Sequence, residues 1–165
     1  MERLWAPWRL EYVQNADTQA GCVFCNAAAG DDVEQLVVHR GERAFVLLNK
    51  FPYSSGHLLV APYRHGPNFG DLDDAEALEI HRLGTQGIAA LTAVYAPGGF
   101  NLGWNIGRIA GAGIPDHGHL HVVPRWGGDT NFMPVLGDVK VIPEHLTATR
   151  TRLAEAWPAP EPVTR

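Results

Sequence analysis

Three features are scarce in this sequence, and each scarcity excludes a class of protein. Two cysteines among 165 residues are too few for the disulfide framework of a small secreted domain. No apolar run approaches the roughly 18 residues of a membrane-spanning helix. The chain has 13 Lys and Arg against 18 Asp and Glu, a net charge of -5, and no basic stripe of the kind that binds nucleic acid. We therefore expect neither a membrane nor a nucleic acid as partner.

The composition indicates one globular domain. With 45% hydrophobic and 19% charged residues, the chain can bury a sizeable core. The first residues, Met1-Glu2-Arg3-Leu4-Trp5, do not resemble a signal peptide, which predicts a cytoplasmic location. We expect residues 1–157 to form the domain and the proline-rich residues 158–165 to form a flexible tail.

Hydrophobic periodicity predicts an α+β fold, in which an antiparallel sheet of about five strands packs against a long helix and a C-terminal helix. The long helix is predicted over residues 72–96, where acidic residues crowd the positive N-terminal end. The C-terminal helix is predicted over 143–157. The predicted strands are 36–39, 43–49, 57–61, 100–106 and a last strand that begins at 117.

The fourth predicted strand alternates cleanly between apolar and other residues. Its side chains at Asn101 and Asn105 are expected on the face opposite to the core. The side chains expected to face the core are Phe100, Leu102, Trp104 and Ile106.

Three histidines, His117, His119 and His121, alternate with Gly118 and Leu120. In an extended strand alternate side chains share one face, so the imidazoles are predicted to form a row. His117 and His121 would lie roughly 13 Å apart at about 3.3 Å per residue, too far to bind one metal ion together. The row suggests a nucleophile at His119 with the other two as helpers.

An imidazole suits this role because it titrates near neutrality and its neutral form keeps a lone pair at cellular pH. The attacking ring must keep a proton on its other nitrogen, held by an acceptor that fixes the tautomer. The sequence does not identify that acceptor.

The two cysteines form the segment Cys22-Val23-Phe24-Cys25. Such a pair can be a redox pair, a disulfide or half of a zinc site. No thioredoxin-like strand and helix surround it, and an intracellular disulfide is unusual. A zinc site needs two further ligands, which the eight histidines of the chain can supply.

The histidine row and the Val122-Val123 that follows resemble the signature of the histidine triad superfamily, from which Gly118 departs at the first apolar position. The resemblance implies that His119 attacks the α-phosphorus of a nucleotide, giving a nucleotidyl-histidine that water, phosphate or another acceptor releases. His117 and His121 then donate to phosphate oxygens. The resemblance also implies a homodimer and, in bacterial members, a structural zinc ion; its matching ligands here are Cys22, Cys25, His65 and His117.

The same resemblance implies further site residues. His57 matches a histidine that supports the triad from a neighbouring strand, Asn49 a residue that binds the ribose, and Leu47 a residue of the base pocket. The other positions assigned to nucleotide binding are Asn105, Gly111, Gly113 and Trp126. Segments 4–9 and 126–135 resemble a bacterial branch related to diadenosine tetraphosphate phosphorylases.

The glycine-rich segment 107–113 precedes the triad and can turn backbone N–H groups toward an anion. Many family members carry Gln-Ser or Gln-Thr just before the triad strand, whereas this chain has Gly113-Ile114-Pro115-Asp116. Backbone donors at Gly111 to Gly113, with Arg108 or Arg125, would then hold the phosphate.

These observations predict an enzyme that transfers or hydrolyses the nucleotidyl group of an adenine nucleotide. The favoured reaction is phosphorolysis of diadenosine tetraphosphate to ATP and ADP, with inorganic phosphate as acceptor. One alternative is a hydrolase of AMP-linked phosphoramidates or dinucleoside polyphosphates. Another, from a different class, is a zinc-stabilised nucleotide-binding or scaffold protein without turnover.

Overall fold

The computed structural model describes residues 21–66, 69–129 and 144–159. Within these residues one antiparallel sheet has the strand order β1-β2-β3-β5-β4 and helices on both faces, which confirms the predicted α+β fold. The helices are α1 (Val23–Ala29), α2 (Asp74–Tyr95) and α3 (Leu146–Glu155). The strands are β1 (Val37–Arg40), β2 (Ala44–Leu48), β3 (Leu58–Pro62), β4 (Gly99–Trp104) and β5 (Leu120–Arg125).

The two faces of the sheet bury different sets of side chains. Every residue of β2 and β3 is buried, because both faces of these central strands are covered. One face packs on α2 and α3 through a cluster that includes Val46, Leu58, Leu83 and Leu153. The other face packs on α1 through a second cluster: Phe24, Ala27, Val37, Phe45, Leu47, Leu59 and Ala61.

The long helix begins two residues later than predicted because Asp73 caps it. The Asp73 side chain accepts the backbone N–H of Glu76, and the Glu76 side chain accepts that of Asp73, which is a capping box. Gly87 allows close approach to the sheet, since a Cβ at this position would lie 3.0 Å from Cδ1 of Leu58.

The prediction that the fourth strand buries all its apolar residues is wrong for two of them. Leu102 is 49% and Ile106 is 53% exposed, whereas Phe100 and Trp104 pack against the core beside α2. The reason is tertiary: β4 pairs only with β5 and lies at the edge of the described sheet. Ile106 also lies beyond the end of the strand.

The predicted C-terminal helix is confirmed as α3, although residue 143 lies outside the described residues. Segments 4–9 and 130–135, and residues 160–165 of the predicted tail, also lie outside them. Among the described residues, no helix combines the length and apolar character needed to cross a membrane.

Candidate active site

The three histidines are all buried, but only His121 lies within a strand, since β5 begins at Leu120. The prediction of one continuous strand is therefore wrong at its start. The Gly118 N–H donates to the Gly66 carbonyl, at 2.7 Å, outside the β3–β5 ladder that runs from Leu120 onward. His119 and His121 remain neighbours, since their rings lie 4.8 Å apart.

The ring of His119 has one nitrogen fixed by the backbone. Its Nδ1 lies 2.8 Å from the carbonyl oxygen of His117, and because a carbonyl only accepts, Nδ1 carries the proton. Nε2 therefore holds the lone pair. Burial lowers the pKa of His119, while the bond to His117 acts in the opposite direction; burial dominates, which favours the neutral, nucleophilic ring.

His117 has both ring nitrogens engaged away from a phosphate. Its Nε2 donates to the carbonyl of Pro62 at 2.9 Å, and its Nδ1 lies 3.3 Å from Sγ of Cys22. The expectation that this imidazole donates to a phosphate oxygen is therefore corrected. The His117 backbone carbonyl bonds to the His119 ring, and the unprotonated Nδ1 of His117 faces Cys22.

The side chains Cys22, Cys25, His65 and His117 come together at the start of α1. Their ligand atoms all lie within 4.8 Å of one another. Sulfur-to-nitrogen distances of 3.3, 3.5 and 3.7 Å match the roughly 3.3–3.8 Å edges of a tetrahedron with Zn–S near 2.3 Å and Zn–N near 2.0 Å. Burial and the neighbouring Cys22 raise the pKa of the Cys25 thiol. The donor set fits zinc.

His57 and His121 form a second histidine pair. His57 is fully buried, just before β3, and its Nε2 lies 2.9 Å from Nδ1 of His121. This short distance supports the prediction that His57 assists the triad from a neighbouring strand.

Leu47 lies on the same face as His121, because cross-strand neighbours share a face: Leu47 pairs with Leu59, and Leu59 with His121. Asn49 follows β2, and its side-chain nitrogen lies 3.3 Å from Nδ1 of His57. Both residues therefore lie on the histidine side of the sheet. Their roles toward base and ribose stay predictions.

The glycine-rich segment differs in part from the expectation. The Gly111 N–H donates to the Arg108 carbonyl at 3.0 Å, and that of Ala112 to the Gly107 carbonyl at 3.3 Å. In this conformation these two groups bond within the loop and do not present themselves to an anion. Gly113 stays a predicted backbone donor. Asn105 joins the loop to the site, since its amide nitrogen lies 3.5 Å from the Gly111 carbonyl and 3.4 Å from Nε2 of His121.

Two predicted residues lie away from the histidines. Arg125 ends β5, where its guanidinium binds Asp129 and Asn101. It lies four residues and roughly 13 Å beyond His121 along an extended strand, so the proposed phosphate contact is corrected. Trp126 follows, and its Nε1 donates to the Tyr95 carbonyl at 3.4 Å. The structure does not bring it together with the triad of the same chain.

Two aromatic residues of the site were missed from the sequence. Phe24 lies between the cysteines on α1, and its ring is 5.0 Å from that of His117 and 4.6 Å from that of His119. Tyr53 lies in the loop before β3, with its ring 4.6 Å from that of His57. An aromatic residue close in sequence to a candidate ligand or catalytic histidine was the available signal in both cases.

Comparison with known proteins shows the family of the chain. The HIT domain matches residues 26–128 of the chain. The AP-4-A phosphorylase of Mycobacterium tuberculosis (strain ATCC 25618 / H37Rv) is 40% identical over 165 residues, which cover 95% of this chain and 85% of that protein. The adenosine 5'-monophosphoramidase hnt1 of Schizosaccharomyces pombe is 30% identical over 104 residues, covering 63% of this chain and 74% of its own. The chain belongs to the HIT domain family.

Solved structures share the fold. A member of the HIT family from Bacillus subtilis superposes with a TM-score of 0.61 at 28% identity, covering 86% of this chain and 100% of its own. A Zn-bound histidine triad family protein from Mycobacterium smegmatis superposes with a TM-score of 0.66 at 24% identity, covering 83% and 93%.

Proposed function

We propose that this protein is a nucleotidyl transferase or hydrolase that acts at the α-phosphate of adenine nucleotides, with diadenosine tetraphosphate phosphorolysis as the favoured reaction. The observation that carries the proposal is the bond from Nδ1 of His119 to the His117 carbonyl, which leaves Nε2 as a nucleophile. The similarity to an AP-4-A phosphorylase over 95% of the chain supports the choice of substrate.

In the first step, Nε2 of His119 attacks the α-phosphorus and the bond to the bridging oxygen breaks. ATP leaves with the bonding electrons, and AMP stays on the imidazole as a phosphoramidate. His121 donates a hydrogen bond to a phosphate oxygen as charge develops there. Asn49, Leu47, Asn105 and Gly113 are the proposed nucleotide contacts.

A structural zinc ion would be held by Cys22, Cys25, His65 and His117. Four protein ligands fill a tetrahedral shell, so the ion would supply folding free energy and no site for a reacting water. Its consequence for chemistry is indirect, because the His117 carbonyl orients His119.

The second step decides between two reactions. Phosphate as acceptor gives ADP, whereas water gives AMP. A specific observation favours hydrolysis as the second candidate: Arg125 binds Asp129 and Asn101, and the N–H of Gly111 bonds within its loop. Two of the groups expected to hold phosphate are thus engaged elsewhere.

The experiment that tests the favoured reaction is product analysis over a series of phosphate concentrations. Purified protein is incubated with diadenosine tetraphosphate, and nucleotides are separated by chromatography. We expect ATP plus ADP with little AMP in millimolar-range phosphate. Should AMP remain the main product as phosphate rises, the protein is a hydrolase; adenosine phosphoramidate as a parallel substrate then tests the reaction named for the fission-yeast relative.

The homodimer and the cytoplasmic location stay predictions. The feature that supports a homodimer is the exposed edge at β4, where Leu102 and the nearby Phe69 are 49% and 54% exposed. Phe69 packs edge-on against Trp104, with ring centroids 5.2 Å apart. An apolar edge strand of this kind is suited to pairing with a second chain. The molecular mass of the protein in solution tests whether it is a dimer.

A further inference from the structure

Tyr53 belongs to a loop that is fixed at several points, over residues 49–57. The Ser54 hydroxyl, which is buried, donates to the Pro124 carbonyl of β5 at 2.6 Å, and the His57 N–H donates to the Ser54 carbonyl at 3.1 Å. Gly56 has φ +77°, and a Cβ there would lie 2.7 Å from Cδ2 of Leu91, so only glycine suits the position. Tyr53 is therefore held in place beside the histidines.

The backbone of Tyr53 sets the tautomer of His57. Its N–H donates to Nδ1 of His57 at 3.1 Å, and the Asn49 side-chain nitrogen lies 3.3 Å from the same atom. A nitrogen that accepts an N–H bond carries no proton, so the neutral ring has its proton on Nε2. That proton points to Nδ1 of His121, 2.9 Å away. His121 in turn carries its own proton on Nε2.

The side chain of Tyr53 contacts both His121 and Asn105. Its ring lies parallel to that of His121, with an interplanar angle of 8° and centroids 5.7 Å apart. Its hydroxyl oxygen accepts from the side-chain nitrogen of Asn105 at 3.4 Å. The same nitrogen donates to the Gly111 carbonyl at 3.5 Å, and lies 3.4 Å from Nε2 of His121.

The Asn105 amide has two hydrogens and three neighbours within reach. Two of these, the Tyr53 hydroxyl and the Gly111 carbonyl, are able to accept. When both hydrogens are bonded to these two acceptors, Asn105 does not donate a hydrogen bond to Nε2 of His121. That nitrogen therefore keeps its proton. Without the hydroxyl, the nearest alternative acceptor for the second hydrogen is Nε2 of His121. To accept the Asn105 hydrogen at Nε2, His121 must carry its own proton on Nδ1. That proton would then face the proton on Nε2 of His57, 2.9 Å away.

We propose that Tyr53 is a positioning residue, whose hydroxyl takes one hydrogen of Asn105 and so keeps His121 in the tautomer that donates to the transferred phosphate. The inference rests on the proposed nucleotidyl transfer for its kinetic consequence. Its structural part, the tautomer of His121, stands apart from any substrate.

The first experiment is nitrogen-15 NMR of the histidine rings in the full-length wild-type protein and in Tyr53→Phe. Long-range proton–nitrogen correlations distinguish the two tautomers. We expect His121 to carry its proton on Nε2 in the wild type, and to show a mixture of tautomers in Tyr53→Phe. A purely structural role for Tyr53 would alter the melting temperature without altering this signature. An unchanged His121 tautomer in Tyr53→Phe overturns the inference.

The second experiment is a double-mutant cycle on kcat with diadenosine tetraphosphate. Tyr53→Phe should lower kcat about tenfold, the lower end of the loss seen when hydrogen-bond partners of metal-bound histidines are removed, with KM within about twofold. In an Asn105→Ala background the competing amide is gone, so Tyr53→Phe should add little. Additive effects, or a Tyr53→Phe variant with wild-type kcat, would contradict the proposal.

The matched control is Tyr63→Phe, because the Tyr63 hydroxyl bonds to the Gly41 carbonyl at 3.3 Å, away from the histidines. It should keep both kcat and the His121 signature. Failure of the proposed function is visible separately: a protein without turnover of any nucleotide would still report the His121 tautomer by NMR.

Discussion

The tautomer of the His119 ring depends on the backbone of the residue two positions before it, His117. The His117 carbonyl fixes the His119 tautomer, and the Phe24 ring packs against the His119 ring. A buried imidazole with one nitrogen bound to a carbonyl is a neutral nucleophile at pH 7 without any neighbouring carboxylate. In the proposed mechanism, the backbone carbonyl of His117 therefore orients the nucleophile as an acidic side chain does in many hydrolases.

Replacing His119 tests this directly. His119→Ala and His119→Asn should lower turnover by several orders of magnitude, because the covalent route is lost, while nucleotide binding persists. Rapid quenching of the wild-type reaction with labelled substrate should trap an adduct that is labile in acid and stable in base. His81→Ala, an exposed histidine on α2, is the control. Near wild-type activity of His119→Ala would exclude the proposed mechanism.

The helices that cover one face of the sheet are joined by Glu144. Its carboxylate accepts the hydroxyl of Tyr95, the last residue of α2. It also accepts Thr149 Oγ1 at 2.8 Å and the Arg152 guanidinium at 2.8 Å, both from α3. The bonds from Tyr95 and Arg152 lower the pKa of Glu144 from 4.5 to about 2. The ionised carboxylate is therefore an inter-helix contact.

The stabilisation from Glu144 should depend on pH. A carboxyl with a lowered pKa stabilises the fold fully above its unfolded value, near 4.5, and the effect is lost as pH falls toward about 2. Glu144→Gln should lower the free energy of unfolding by about 1–2 kcal/mol at pH 7, and the difference from wild type should shrink between those pH values. Denaturant titrations measure it, with the exposed Glu155→Gln as control. A pH-independent difference would contradict the assignment.

At the scale of the whole molecule, three distant segments meet at the cysteine–histidine cluster. Cys22 and Cys25 lie at α1, His65 follows β3, and His117 precedes β5. A metal ion there would join the N-terminal part of the described chain to the backbone that orients His119. Binding would therefore stabilise the fold and the site together.

Removing one ligand should reveal this coupling. We expect about one zinc per chain in the wild type, and in Cys25→Ser a metal content near zero with a melting temperature lower by several degrees. Elemental analysis and calorimetry provide the two readouts. His81→Ser serves as the control with the same new side chain. Wild-type protein purified without chelators that contains no metal would count against the site.

Local patterns were sufficient for much of the fold and for naming the candidate site residues. The spacing of His117, His119 and His121, the acidic residues at the start of α2 and the alternation in β4 all depend on neighbours within a few residues. The predicted Cys–His set also comes together in the structure, although its sequence basis was resemblance and not spacing. One prediction that failed was the burial of Leu102 and Ile106, since periodicity identifies an apolar face but not whether another element covers it.

The sequence by itself determined the α+β class and the nucleophile candidate, because these follow from short-range periodicity and from side-chain chemistry. The four residues of the cysteine–histidine cluster followed from the resemblance. Only the tertiary structure decided which partner each ring nitrogen of the site contacts. The proton acceptor of His119, the engagement of both His117 nitrogens and the link from Tyr53 through Asn105 to His121 need distances of about 3 Å. Most of these contacts join segments that are far apart in the chain, and such distances exist only once the sheet has brought those segments together.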